Sequence, residues 1–421
     1  MKKRILSLAL AAVMVMGLAV GCGSKDTNTD GDSAKKYDGV EVTMWSMWND
    51  GEPQSVVIKE AAAAFEEETG AKVNIEWKGR DVQQLILAAL EQGEKIDIFE
   101  EDYQRISKNY KDYVLDLTAM ADAAGYADKS FACFNNVAKE WAGFLPAITE
   151  QPQVGGIYYD KDDFAAAGIT EIPTTWADFT AACDKLVAAG FAPMALDSAY
   201  ADFHFGYHLE RYLGEAGVSE LAKNGGWAAN EKAVAAADSM IQFVKAGYFE
   251  EGAPGEYPSS QNKMGLDGGK VAMVVCANYI CAEVNNNTGA NINWGLMNYP
   301  TVEGGVTTTN AYAGANSLAI PKASENAQAA FDFCLYLTTG TYDKKMADAC
   351  SQIPADPANE APAIMDGTVE VLKSAEAPLS WSMGLGDSGD LMTSLKDEIV
   401  KLFEGKYNSG AEWCAAVDAL Y

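Results

Sequence analysis

Between residues 40 and 99 two hydrophobic periods alternate, and this restricts the fold more than any other feature of the chain. Val40-Glu41-Val42-Thr43-Met44-Trp45 is a short β-prone run. It is followed by a helix that Ser55 caps, that buries Val56, Ile58, Ala61, Ala62 and Phe65, and that ends at Gly70. Lys72-Val73-Asn74-Ile75-Glu76-Trp77 alternates strictly and reads as a second strand. Val82 to Leu90 reads as a helix and Ile96-Asp97-Ile98-Phe99 as a third strand. Strand and helix at this spacing predict βαβ units on a mostly parallel sheet, whose ligand sites lie beyond the carboxyl ends of the strands. Those ends are Trp45–Asp50, Trp77–Asp81 and Glu100–Tyr103, rich in Trp, Tyr and carboxylate side chains.

Downstream, Ile172-Pro173-Thr174-Thr175-Trp176-Ala177-Asp178 opens another helix, with Thr175 and Asp178 at capping-box spacing, running to Gly190. Further helices are expected at 203–213, 230–246, 324–339, 390–404 and 409–420, and strands at Val271–Val275 and Ser317–Pro321. No repeat of 20–50 residues is present, which argues against a solenoid.

Before this body stands a different kind of sequence. Lys2, Lys3 and Arg4 precede an uncharged apolar run from Ile5 to Val20, the length of a signal-peptide core and short of a bilayer span. Ala19-Val20-Gly21-Cys22 resembles the bacterial lipobox, in which cleavage before Cys22 leaves a thiol that takes a diacylglyceryl group. Residues 1–21 therefore read as a lipoprotein signal peptide and 22–37, GlySer/Thr/Asp/Lys-rich, as a flexible tether. The expected location is the extracellular face of the cell membrane, or its periplasmic side in a cell with an outer membrane, held by the lipid on Cys22.

Charge removes several partner classes. The 421 residues carry 60 Asp+Glu against 31 Lys+Arg, a formal charge of −29, which loss of Lys2, Lys3 and Arg4 would take to −32. Such a surface repels phosphate polyanions, so nucleic acid is not an expected partner. With 2 His in the whole chain, a His-rich metal centre is excluded. The seven Cys after Cys22 (Cys133, Cys183, Cys276, Cys281, Cys334, Cys350 and Cys414) are odd in number and scattered, and read as small buried hydrophobes.

Several segments together give the body from about residue 38 onward a family resemblance. They are VTMWSMW, FEEETGAKVNIEW, GGIYYDKDDFAAAGITEIPTTWADF, DGGKVAMVVCANYI and GANSLAIPKASENAQAAFDFCLYLTTG, in order and behind a lipobox. The chain resembles the extracellular solute-binding proteins of carbohydrate ABC importers, the group related to maltose-binding protein. The resemblance implies an α/β, two-lobed periplasmic-binding-protein-like fold of type II, a hinged clamp with a helix-flanked sheet in each lobe. Its borders are expected at 38–149 plus 305–355 for one lobe and 150–304 plus 356–421 for the other. It further implies a carbohydrate ligand, ABC permease subunits as partners, a monomer, no cofactor and no catalysis.

A sugar site needs aromatic faces for the C–H side of pyranose rings and polar groups for the hydroxyls, because an unpaired polar group in a closed cleft costs roughly 1–3 kcal/mol. Trp45 and Trp48 leave the first strand at its carboxyl end and are expected platforms, against packing in the core. Glu101 and Asp102 occupy the matching loop after the third strand, against a solvated charge run. Tyr159 lies at the lobe junction, Tyr279 follows the Val271–Val275 strand, and Asn316 sits in Gly-Ala-Asn-Ser. Trp381 stands in a Gly/Ser-rich stretch with little core to join.

Three motifs match by letter only. His204 and His208 share a helix face but lack the Glu of HExxH, so they read as core or cleft border. Gly384-Leu385-Gly386-Asp387-Ser388-Gly389 follows no convincing strand, which argues against a dinucleotide site. Ser260-Gln261-Asn262-Lys263 has neither S-D-N nor K-T-G after it. The readings that compete with a sugar receptor are a surface glycoside hydrolase, which would need a carboxylate pair about 5–10 Å apart, and a clamp for polyamine or peptide.

Overall fold

The opening strand β1 (Glu41–Ser46) alternates Val42, Met44 and Ser46 on one face with Thr43 and Trp45 on the other. The chain then enters α1 (Pro53–Thr69) with Pro53 in the first turn. There its missing N–H and fixed φ suit the helix start. Helix α1 thus begins two residues before the expected cap, and Ser55 lies inside it, its hydroxyl donating to the Glu52 carbonyl. Val56 is 53% exposed and Val57 takes the core position assigned to it. Gly70, at φ 84°, ends the helix as expected.

In the computed structural model, residues 35–266, 270–306, 310–375 and 378–421 are described. The signal peptide, Cys22, the tether up to residue 34 and the Asp267-Gly268-Gly269 lead-in lie outside them. Residues 36–421 form one compact unit.

β2 (Lys72–Trp77) and α2 (Val82–Gln92) follow the expected pattern, and β2 and β3 (Ile98–Asp102) both pair in parallel with β1. β3 runs three residues further than the pattern suggested. Its register against β8 (Ala313–Ala319) places Glu100 opposite Leu318, Glu101 opposite Ser317 and Asp102 opposite Asn316. β8 likewise starts earlier than expected, so Asn316 is a strand residue and not a loop residue. Helices α3 (Tyr103–Asn109), α4 (Thr118–Ala124) and α5 (Ala132–Trp141) complete this end of the sheet.

The long strand β4 (Ile148–Asp160) joins the two ends. Through Val154 it pairs with β8, and from Gly155 onward with β6 (Val271–Ala277) and β7 (Trp294–Met297). The sheet order is β2-β1-β3-β8-β4-β6-β5, with β5 being Ala192–Ala195 and β7 beside β4. At Gly156 a Cβ would lie 2.7 Å from the Met297 carbonyl oxygen, so only glycine allows the strands to meet there.

Between β4 and β8 run α6 (Lys161–Ala166), α7 (Trp176–Ala188), α8 (Ala201–Leu213), α9 (Glu215–Asn224), α10 (Glu231–Lys245), α11 (Ser259–Asn262) and α12 (Tyr279–Thr288). After β8 come α13 (Ala327–Thr338), α14 (Gly340–Cys350), α15 (Thr368–Ser374), an irregular 3-10 segment (Trp381–Leu391), α16 (Met392–Phe403) and α17 (Gly410–Asp418). One apolar core lies mainly around β1–β3, β8, α1, α13 and α14. The other is built from α7, α8, α10, α16 and α17, with Trp227 and Trp413 fully buried in it.

The α7 cap forms as its spacing predicts: Thr175 Oγ1 accepts from Asp178 N at 3.2 Å and donates to the Asp178 carboxylate at 2.7 Å. Thr175→Ala is expected to lower stability by about 1 kcal/mol, read as a lower urea midpoint with an unchanged slope.

Candidate functional site

The carboxyl ends of β1 and β3 bring together aromatic and acidic residues, most of them buried or bonded within the chain. Trp45 and Trp48 are each 6% exposed. The Lys78 ammonium lies 4.1 Å from the Trp45 ring centroid, and the Arg80 guanidinium lies 4.5 Å from that of Trp48. Arg80 is fixed there by the Met47 carbonyl at 2.6 Å and by Glu52 at 3.1 Å. Glu101 is fully buried, accepts from Asp102 N at 2.7 Å and from Arg105 at 3.2 Å, and burial raises its carboxyl above the usual range. Asp102 caps α3 by accepting from Arg105 N at 2.9 Å. Tyr159 packs in the second core on Phe164, ring centroids 4.3 Å apart, and fills the space a Gly295 side chain would take.

Tyr279 opens α12 partly buried beside Tyr200 and Cys276, and desolvation pushes its phenol up. Its neighbour Asn278 works at the junction: its Oδ1 accepts from Val154 N at 3.1 Å and its Nδ2 donates to Gln352 at 2.9 Å. Asn316 is partly buried opposite Asp102 and Gln151.

Of the eight expected residues, Trp381 lines a surface cavity of about 480 Å³. Gln104 and Lys108 from α3 and Trp141 from the end of α5 form one wall; Glu215 and Ser219 from α9, with Trp381 and Asp387, form the other. The cavity thus lies between helices of the β1–β3 end and helices of the β5–β7 end. Lys108 rests on the Trp141 ring, 4.2 Å from its centroid. Trp381 is held by Phe203 at 4.3 Å and Tyr312 at 5.3 Å between centroids.

The backbone that presents Trp381 is strained. Ser382, Met383 and Gly384 have φ of 59°, 50° and 96°, and for the two non-glycine residues this conformation costs about 1–3 kcal/mol each. Surrounding contacts enforce it. Ser382 donates to Asp202, itself paired with Lys396 at 2.7 Å, and Ser380 N donates to Glu215 at 2.9 Å. A Cβ at Gly384 would come within 2.8 Å of the Glu215 carbonyl oxygen. The Gly384–Gly389 run that matches a dinucleotide motif by letter is therefore the turn that carries Trp381 over α9.

Trp141, Lys108, Gln104, Glu215 and Ser219 were not singled out from sequence, and Asp387 entered only within the Gly384–Gly389 motif. Trp141 continues the stripe Cys133, Phe134, Val137, Ala138 of α5 and reads as core by period. The carboxylates of the cavity are engaged by the chain itself: Glu215 by Ser380, and Asp387 by Ser219 and by Lys223 at 3.0 Å.

His204 and His208 are buried in the second core beside Tyr299, and desolvation lowers both to about 3. Among the described residues no group of three or more His, Cys, Asp or Glu is placed to hold a metal, and no helix is long and apolar enough to cross a membrane. Six of the seven Cys are buried and Cys350 is partly so, all as free thiols.

Comparison with known proteins agrees with this architecture. Residues 50–340 match the family described as bacterial extracellular solute-binding protein. The chain is 25% identical over 370 residues to a maltooligosaccharide ABC transporter solute-binding lipoprotein of Streptococcus pneumoniae, covering 85% of this chain and 81% of that protein. Among solved structures it superposes on a probable secreted solute-binding lipoprotein from Streptomyces coelicolor with a TM-score of 0.72 at 16% identity, covering 93% and 99% of the two chains. A chitin oligosaccharide binding protein gives 0.64 at 20% identity, covering 90% and 97%. The fold is the two-lobed, periplasmic-binding-protein-like α/β architecture expected from sequence. Matched over most of its body and built on this fold, the chain belongs to the bacterial extracellular solute-binding proteins.

Proposed function

We propose that this protein is a lipid-anchored receptor that captures a short oligosaccharide between its lobes and delivers it to the permease of an ABC importer. The observation that carries this reading is that Trp141 and Trp381, from elements far apart in sequence, line one cavity together with Gln104, Lys108 and Ser219. Two indole faces suit the apolar faces of sugar rings, and the polar groups suit their hydroxyls. The name of the pneumococcal relative, which specifies maltooligosaccharide, supports a carbohydrate cargo. Carboxylates that already hold a serine or lysine of the chain favour binding over hydrolysis, since a glycosidase needs two of them free for the scissile bond.

Within this reading the clamp comprises 38–149 plus 305–355 as one lobe and 150–304 plus 356–421 as the other, acting as a monomer on a lipid carried by Cys22. Trp381 is the ligand platform among the residues first singled out, with Tyr279 and Asn316 as further ligand contacts. Trp45, Trp48, Glu101, Asp102 and Tyr159 hold the walls in place. Ligand capture closes the lobes, and the closed form is the one the permease accepts.

A thermal-shift screen with malto-, chito-, xylo- and raffinose-type oligosaccharides tests the reading. At least one is expected to raise the melting temperature, because a ligand at 100 times its Kd adds about 2.7 kcal/mol to stability, and to be recovered intact by chromatography. Shortened products would establish a hydrolase instead. A shift with spermidine or peptides and none with glycans would overturn the cargo.

A further inference from the structure

Beneath Trp48 lies a group of buried polar atoms that the cavity does not use. Trp48 Nε1, Glu100 Oε1 and both carboxyl oxygens of Glu150 lack a hydrogen bond of good geometry. Glu100 is 0% and Glu150 2% exposed. The other Glu100 oxygen accepts from Ser46 Oγ at 2.5 Å and from Met47 N at 2.7 Å, and so holds the start of the Met47–Glu52 loop. Glu150 sits where β4 slips register against β8, between Thr149 and Gln151. The two carboxyls are close enough to act on each other, and the Trp48 indole is close enough to act on Glu150.

Among the described residues none forms a salt bridge with either carboxyl, although the Arg80 charge favours ionised Glu100. The groups facing the pair are Arg80, already bound to Glu52 and the Met47 carbonyl; Asp343 and the Cys350 thiol on α14; and the Cys334 thiol on α13. Two ionised carboxylates buried side by side without a partner charge are not sustainable. Burial raises both, and the charge of Glu100 adds to the rise at Glu150.

We propose that Glu100 and Glu150 are positioning residues that share one proton, tying the Met47–Glu52 loop to the crossing strand β4 and releasing that tie when the proton is lost. With the proton in place, the O–H of one carboxyl serves the other. Without it, two adjacent carboxylates repel across the bulge, and the loop and β4 lose their common anchor. The structural claim stands without the sugar reading; that the tie shapes a ligand wall rests on it.

The sign of the pH effect follows from the raised titrations. The folded state holds more protons than the unfolded chain above the ordinary carboxylate range. The contribution is therefore full below that range and declines as pH rises, until the shared proton is gone.

Infrared difference spectra of the full chain test this without any ligand. At neutral pH the wild type is expected to show the C=O band of a buried carboxylic acid, lost in alkaline solution and absent in Glu150→Gln. Amide exchange in residues 47–52, compared between wild type and Glu150→Gln at the same pH, is expected to accelerate on alkalinisation in the wild type only. Glu100→Gln serves as the second variant where Glu150→Gln folds poorly. Absence of the acid band at neutral pH, or the same alkaline response in wild type and both Gln variants, would overturn the proposal. A failed glycan screen would leave both readouts unchanged, so the two readings fail separately.

Discussion

Arg211→Met is expected to lower the free energy of unfolding by about 3–5 kcal/mol, the cost of leaving one partner of a buried ion pair alone. Arg211 is fully buried on α8. Its Nε donates to the Tyr299 carbonyl at 3.1 Å, and one terminal nitrogen donates to Asn298 Oδ1 and the Asn310 carbonyl, each at 3.0 Å. The other terminal nitrogen pairs with Glu210, which is 2% exposed. Arg211 thus gathers both ends of the segment that returns the chain from β7 to β8. Its own carbonyl accepts from Val306 N at 2.8 Å, adding a tie in the middle. Without the guanidinium, two backbone carbonyls and a carboxylate are left buried, and burial already raises the Glu210 carboxyl. Urea unfolding checks the size of the effect. The double variant Glu210→Gln/Arg211→Met is expected to recover part of the loss, because it removes the stranded charge. A single variant within about 1 kcal/mol of wild type, the scale of an exposed pair, would show that Arg211 is replaceable by packing.

That network was illegible in the sequence, whereas β1, β2 and the α7 cap were not. Strict alternation in Lys72–Trp77 and a Thr three residues before an Asp are local signals, settled within a few residues. The errors came where distant residues decide. Glu100 and Glu101 ended the expected third strand because charge reads as loop, yet pairing with β8, more than 200 residues away, buries them inside β3. β4 was not read as a strand, since Glu150, Gln151, Pro152 and Gln153 break its alternation; the slip at Glu150 and the change of partners at Gly155 account for that irregularity. Trp45 and Trp48 lie at the predicted strand end, but the cations that cover their rings come from Lys78 and Arg80, about thirty residues on. A strand end therefore does not show which aromatic faces the rest of the chain covers. Trp381 stands in Gly/Ser-rich sequence with no helix stripe to join, and it lines a cavity while packing on Phe203 and Tyr312.

Trp381→Ala is expected to weaken oligosaccharide binding by about 1–3 kcal/mol, borrowing the scale of base–aromatic stacking, and Trp141→Ala by a similar amount. The two indoles make a joint prediction stronger than either alone. On the proposed lobe borders they stand on different lobes, so a ligand gripped by both would draw the lobes together. Losing one platform then also weakens the other's contact, and the double variant should lose less than the sum of the singles, with a coupling of about 0.5–3 kcal/mol. Lys108 lies on the Trp141 ring and must leave the face that a sugar takes. A cation–π contact at an exposed site is worth only about 0.5–1 kcal/mol, so stacking outweighs it, and Lys108→Met should change affinity less than Trp141→Ala. Trp381 also packs on Phe203 and Tyr312, so Trp381→Ala will cost stability as well. Titration calorimetry well below the melting temperature separates the two effects, because packing loss alone leaves the affinity of the folded fraction unchanged. Affinities that fall additively would place the two tryptophans on separate subsites, and affinities that do not fall would assign both to the rim.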